Sequence, residues 1–171
     1  MKPVSNTTKQ PSTTFNKALL GASPGPHFYT KILQFFYTSM EIFTLKSDEL
    51  DSLGYCSHST LRSCDLLPRL ANHLSIALDT IEVRFENAGQ QLEDYQQSLL
   101  SEFRNLVGEA VEFHELNDDG YSSAYVDSVE TDAQEIIVEL FDALDQLSPE
   151  GFYFGSHPGD GSDFNYWDIE E

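Results

Sequence analysis

The chain has 171 residues, 40% of them apolar and 12% aromatic, with 29 acidic against 9 basic side chains and a formal net charge of −20. This length and apolar content suit one domain with its own core and exclude two comfortable ones. No run reaches the roughly eighteen apolar residues of a membrane span, and the acidic excess argues against direct binding of phosphate backbones.

The charge is segregated along the chain. All nine Lys and Arg lie at or before Arg104, whereas residues 105–171 carry eighteen Asp and Glu and no Lys or Arg. Residues 1–104 sum to −2 and residues 105–171 to −18. Such a one-sided field costs stability through self-repulsion. It reads either as a solvated acidic surface or as a surface for a basic partner or a cation. Two cysteines, Cys56 and Cys64, make no disulfide framework and no metal-binding C-x-x-C pair. The opening "MKPVSNTTKQPSTTF" has no apolar core of a secretory signal, so a cytoplasmic location is expected.

In chain order, residues 1–26 read as a disordered polar tail ending in the turn-rich "GASPGP". Residues 27–171 read as a single helical domain. In residues 27–45, Tyr29, Ile32, Phe36, Met40 and Phe43 recur at helical spacing, although the aromatics also suit a strand. Residues 46–67 suggest two short helices around Gly54, with Ser47 as N-cap. Pro68 suits the first turn of the next helix, with Asp65 or a neighbour as cap. That helix carries Leu70, Leu74, Ala77, Leu78, Ile81 and Phe85 on one side.

A longer helix over about 90–115 has the stripe Leu92, Tyr95, Leu99, Phe103, Leu106, Ala110 and Phe113. Gly108 inside it suggests a bend or a close helix contact. Residues 117–128 read as a loop. Residues 130–147 form an amphipathic helix with Ile136, Ile137, Leu140, Phe141, Leu144 and Leu147 inward, Thr131 and Gln134 at capping-box spacing, and Pro149 and Gly151 as stops. The tail then alternates. Phe152 and Phe154 would share a face with Phe164 and Tyr166 across a "SHPGDGS" turn, giving a β-hairpin packed on the helices. The expected fold is mainly α, of the α+β kind: a bundle of four to five helices closed by a small C-terminal β-hairpin.

The candidate sites separate by their chemistry. Read as a calcium loop from Asp160, the tail places Ser162 third, Asp168 ninth and Glu171 twelfth. Phe164 then stands where an oxygen ligand is needed and Asn165 where Gly is needed, so the pattern fails. His114 beside Glu115, and His157 near Asp160, could serve as bases or ligands, but no H-x-x-x-H or H-E-x-x-H pair supports them. A small metal-dependent enzyme or metal binder centred on His157, Asp160 and Asp163 is therefore an alternative, with no cofactor, metal ligand or catalytic residue assigned. "SDELDSLGYCSHSTLR" loosely suggests a helix-turn-helix turning at Gly54, and so a DNA-binding regulator. Ser57 nevertheless occupies a position where an apolar residue would normally pack, and Lys46 and Arg62 are the only bases of the 46–67 segment. A third alternative is an assembly protein that uses the aromatic 27–45 segment as its interface.

On the 130–147 helix, Asp132, Glu135, Glu139 and Asp142 recur every three or four residues opposite the apolar face. One acid per turn gives a charge every ~5 Å, about a third of the density of duplex DNA at one per ~1.7 Å. All eighteen carboxylates on one face of a domain ~30 Å long would approach the duplex value. That requires the helix, the 117–128 loop and the tail acids Asp160 and Asp163 to share that face.

Phe154, Gly155, His157, Pro158, Gly159, Asp160, Gly161, Asp163, Phe164 and Trp167 form an F-G-x-H-P-G-D-G-x-D-F…W segment. It resembles the C-terminal signature of small uncharacterised proteins of phages and plasmids, with Asn165 where that pattern often has Gly. The resemblance covers residues 148–168 and implies a mobile-element origin without an established activity. The leading expectation is a non-enzymatic acidic interaction protein. Asp132, Glu135, Glu139, Asp142, Asp160 and Asp163 would meet a basic, nucleic-acid-binding protein, in the manner of a nucleic-acid mimic inhibiting host defence or DNA handling.

Overall fold

The computed structural model describes residues 43–118 and 125–170, all within one unit spanning Tyr37–Glu171. The predicted 1–26 tail and residues 27–42 of the predicted aromatic helix lie outside the described residues. Phe43, Thr44 and Leu45 form a turn rather than a helix end. Phe43 and Leu45 are buried, and the Leu45 N–H donates to the Leu147 carbonyl at 2.8 Å.

A 3-10 turn over Ser47–Glu49 runs into the short helix α1, Leu50–Leu53, which stops at Gly54 with φ +72°. That positive φ is why a glycine ends it. The second short helix predicted before residue 67 does not form. Residues 55–62 are non-helical, and Ser57 exchanges both backbone hydrogen bonds with Phe164, at 3.2 and 3.0 Å. Pairing with a strand more than a hundred residues away supplies the backbone partners that a local helix would have supplied.

Helix α2, Ser63–Asn87, is central. It starts two residues before the predicted cap Asp65, which instead pairs with Arg62 and accepts from the Thr60 hydroxyl at 3.1 Å. Pro68 therefore lies in the second turn. Leu67, Leu70, Leu74, Leu78 and Ile81 are fully buried, each contributing about 1.5–3 kcal/mol of apolar burial. Helix α3, Asp94–Asn117, opens with a reciprocal cap between Glu93 and Gln96 and buries Phe103 and Ala110. Helix α4, Asp127–Gln146, begins earlier than predicted. Thr131 and Gln134 lie inside it, so the expected capping box does not exist, and Val126 at the N-cap supplies no side-chain bond.

The helix α2 packs along both α3 and α4, which meet each other over a shorter length. Arg104 of α3 joins α2 by pairing with Asp79 and Glu82. Arg84 of α2 holds Glu49 at 2.7 Å and donates to the Thr44 carbonyl at 2.8 Å. Gly108 makes no close helix contact: it is exposed, and a Cβ there would meet nothing within 4 Å.

Strands β1, Phe152–His157, and β2, Asp160–Asp168, pair antiparallel with Phe154 opposite Tyr166 and Ser156 opposite Phe164. Phe154, Phe164 and Tyr166 are buried, and Phe152, beside Asp168 at the hairpin's open end, is half-buried. The hairpin closes a mainly helical fold, as the alternation predicts. Phe141 of α4 lies 5.6 Å from Phe154 and 5.1 Å from Phe164, ring centre to ring centre. Asp145 accepts from the Phe154 N–H at 3.0 Å, and the Tyr166 hydroxyl donates to the Leu144 carbonyl at 3.2 Å. No helix of the described residues is long and apolar enough to cross a membrane.

Candidate functional site: an acidic groove between two helices

At ~100° per residue, Asp132, Glu135, Glu139 and Asp142 fall within about 80° of one another around α4. All four are exposed. Phe141 and Asp145, which carry the hairpin, lie on the other flank. Part of the acidic flank faces α3 across an open groove of about 650 Å³, which Asp132 and Glu135 do not line. Glu139 and Asp142 stand on its α4 wall, and Glu102 and Glu109 on its α3 wall. Phe103, Leu106 and Ala143 form the floor, while Ser98, Ser101, Asn105 and Gln146 add hydrogen-bonding groups. The lining contains no Lys, Arg or His.

The reason lies in the distribution of cations. Arg62, Arg84 and Arg104 each pair with a carboxylate of the N-terminal portion, Asp65, Glu49, and Asp79 with Glu82. The α3 and α4 acids beyond residue 104 have no Lys or Arg in their own stretch of chain to meet. Glu102 and Glu109, seven residues apart on one helix face, were missed by a reading that followed the α4 stripe alone. Their signal in the sequence is the i, i+7 spacing beside Phe103 and Ala110.

The hairpin acids belong elsewhere. Asp160 accepts from the Ser162 amide at 3.0 Å and its hydroxyl at 2.7 Å. These bonds, the hydroxyl's first, hold its carboxyl below the ordinary range and build the turn. Asp163 accepts from His58 Nδ1 at 3.0 Å and from the Ser59 N–H at 3.3 Å. Tyr55 stacks on His58 with ring centres 3.6 Å apart, and Trp167 meets Tyr55 edge-on at 6.1 Å. Ser59 takes φ +56° within this contact. Asp160 and Asp163 thus fold the turn and fasten residues 55–59 to it; they do not join the acids of the α3–α4 groove.

The histidines of the acidic half also have local partners. His157 Nδ1 accepts from the Gly159 N–H at 3.0 Å. His114 Nδ1 meets the Tyr125 hydroxyl at 2.8 Å, and its Nε2 lies 3.7 Å from Asp118 rather than beside Glu115. Neither cysteine is in a disulfide, and burial pushes the Cys56 thiol up to about 12. Among the described residues, no group of three or more His, Cys, Asp and Glu is placed to hold a metal ion. The predicted helix-turn-helix lacks its second helix: residues 55–62 are non-helical, and Ser57 pairs with Phe164 of β2 instead. Comparison with family models, curated proteins and solved structures found no match.

Proposed function

We propose that this protein is a non-enzymatic acidic interaction protein that receives a basic partner along the α3–α4 groove. The observation that carries the reading is the facing of Glu102 and Glu109 by Glu139 and Asp142, with no cation in the lining. A field of one sign in a cleft with low-dielectric walls is focused outward and accelerates encounter with an opposite charge.

The partner class we favour is a nucleic-acid-binding protein. Along α4 from Asp132 to Gln146, about 21 Å at 1.5 Å per residue, six carboxylates including Glu102 and Glu109 give one per ~3.5 Å, close to a single DNA strand and about half a duplex. The density favours a partner that reads one row of phosphates over one that grips a full duplex. The phage and plasmid resemblance of residues 148–168 fits a cytoplasmic inhibitor of host defence or DNA handling, and belongs to the same proposal.

The test is binding of a fluorescent lysine- and arginine-rich peptide by fluorescence anisotropy at low and high salt, followed by pull-down from host lysate to name the partner. Binding should weaken steeply with salt. It should fall at least tenfold in the quadruple variant Glu102→Gln, Glu109→Gln, Glu139→Gln, Asp142→Asn. Equal binding by that variant, with the fold intact by circular dichroism, would refute the reading.

A further inference from the structure

His73 lies on the face of α2 that receives the hairpin. Only 2% of it is exposed, and its ring centre is 5.8 Å from those of both Phe154 and Tyr166. Its Nε2 is buried with no hydrogen-bond partner. A charged imidazolium there would carry two N–H donors into an aromatic contact that offers Nε2 no acceptor.

The titratable groups around this contact give no relief. From the hairpin comes Tyr166, whose hydroxyl is bound to the Leu144 carbonyl. From the 55–59 segment comes Cys56, a neutral thiol near Tyr166. From α4 comes Asp145, bound to the Phe154 N–H. On α2 itself Arg69, one turn earlier, is exposed and of the wrong sign. Burial is what moves the His73 ring, down to about 4.

A two-stranded hairpin is marginal by itself in water, so β1 and β2 depend on this docking. The core of the α2–α3–α4 contacts is made of aliphatic residues that do not titrate, with the Arg104 pairs to Asp79 and Glu82 at its surface. We propose that His73 is an acid-sensitive latch whose protonation releases the β-hairpin from the helices while the helices stay folded. The His58–Asp163 bond and the Ser57–Phe164 pairing keep residues 55–59 with the hairpin, so the two leave together, uncovering Phe141 and the inner faces of Phe154 and Phe164.

The test is amide hydrogen exchange on the full chain at pH 7 and pH 4.5, corrected for intrinsic rates, with far-ultraviolet circular dichroism for the helices. The hairpin opening equilibrium should rise on the order of 60-fold between pH 7 and pH 4.5, from an open-state pKa of ~6.5 against about 4 when docked. Helix amides should keep their protection, and His73→Phe should abolish the hairpin's response. Hairpin and helices opening together, or a variant as acid-sensitive as the wild type, would overturn the proposal. If His73→Phe does not fold, the wild-type imidazole titration by nuclear magnetic resonance decides: a docked ring titrating near 6.5 with no change in the hairpin signals overturns it equally.

Discussion

His58 and Asp163 are 105 residues apart in the chain, yet His58 Nδ1 and Asp163 Oδ1 lie 3.0 Å apart. This bond, with the Ser59 amide on the same carboxylate oxygen, ties the loop after α1 to the start of the second strand. It also places Asp163 away from the acids that line the α3–α4 groove. Asp163→Ala should cost about 1 kcal/mol, since the pair is partly solvated and the Ser59 N–H loses its acceptor. Asp163→Asn should recover part of this, and neither change should alter binding of the basic peptide. Urea denaturation followed by Trp167 fluorescence gives the first quantity, and anisotropy the second.

Removing charge from α4 should stabilise the fold while weakening binding. Glu135 and Glu139 stand four residues apart, and Glu139 and Asp142 three apart, so neighbours on one helix face repel by a few tenths of a kcal/mol per pair. Glu139→Gln with Asp142→Asn should raise the melting temperature in low salt. The gain should shrink at molar salt, where the screening length is about 3 Å. A melting temperature that falls in low salt would show that these carboxylates hold the fold instead.

Gly108 offers a stabilising substitution unconnected to the groove. It lies inside α3, exposed, with open space where a Cβ would go. Gly108→Ala should therefore add up to about 1 kcal/mol to unfolding stability by reducing the freedom of the unfolded chain. Chemical denaturation measures it, and a loss of stability would reveal a contact at this position.

Asp145 closes the outer edge of β1 by accepting from the Phe154 amide. Asp145→Ala should leave that N–H without its partner, costing about 1 kcal/mol. The loss should be local, appearing as faster exchange at Phe154 and its strand neighbours before α2 responds. Uniform loss across the molecule would mean that hairpin and helices unfold as one unit.

Helices were legible where an apolar period ran long. The Leu70 to Phe85 stripe and the Ile136 to Leu147 stripe predict α2 and α4, and the Phe152 to Tyr166 alternation predicts the hairpin. Helix starts were legible less well. Asp65 has the right chemistry for a cap but pairs with Arg62 and Thr60, and Thr131 with Gln134 has the right spacing but sits inside a helix begun at Asp127. A local signal cannot say which of two nearby donors a side chain meets once the chain is packed.

By itself the sequence determined the class of fold, the segregation of charge and the acidic flank of α4, because these depend on composition and on periods of three to four residues. It left Glu102 and Glu109 unremarked, and it grouped Asp160 and Asp163 with the α4 acids. Only the tertiary structure decided those memberships. Whether two carboxylates share a surface depends on which helices lie side by side and on which distant groups claim them first. Here α2 sets α3 beside α4 and so brings Glu102 and Glu109 opposite Glu139 and Asp142. His58, delivered by a loop that pairs with β2, claims Asp163.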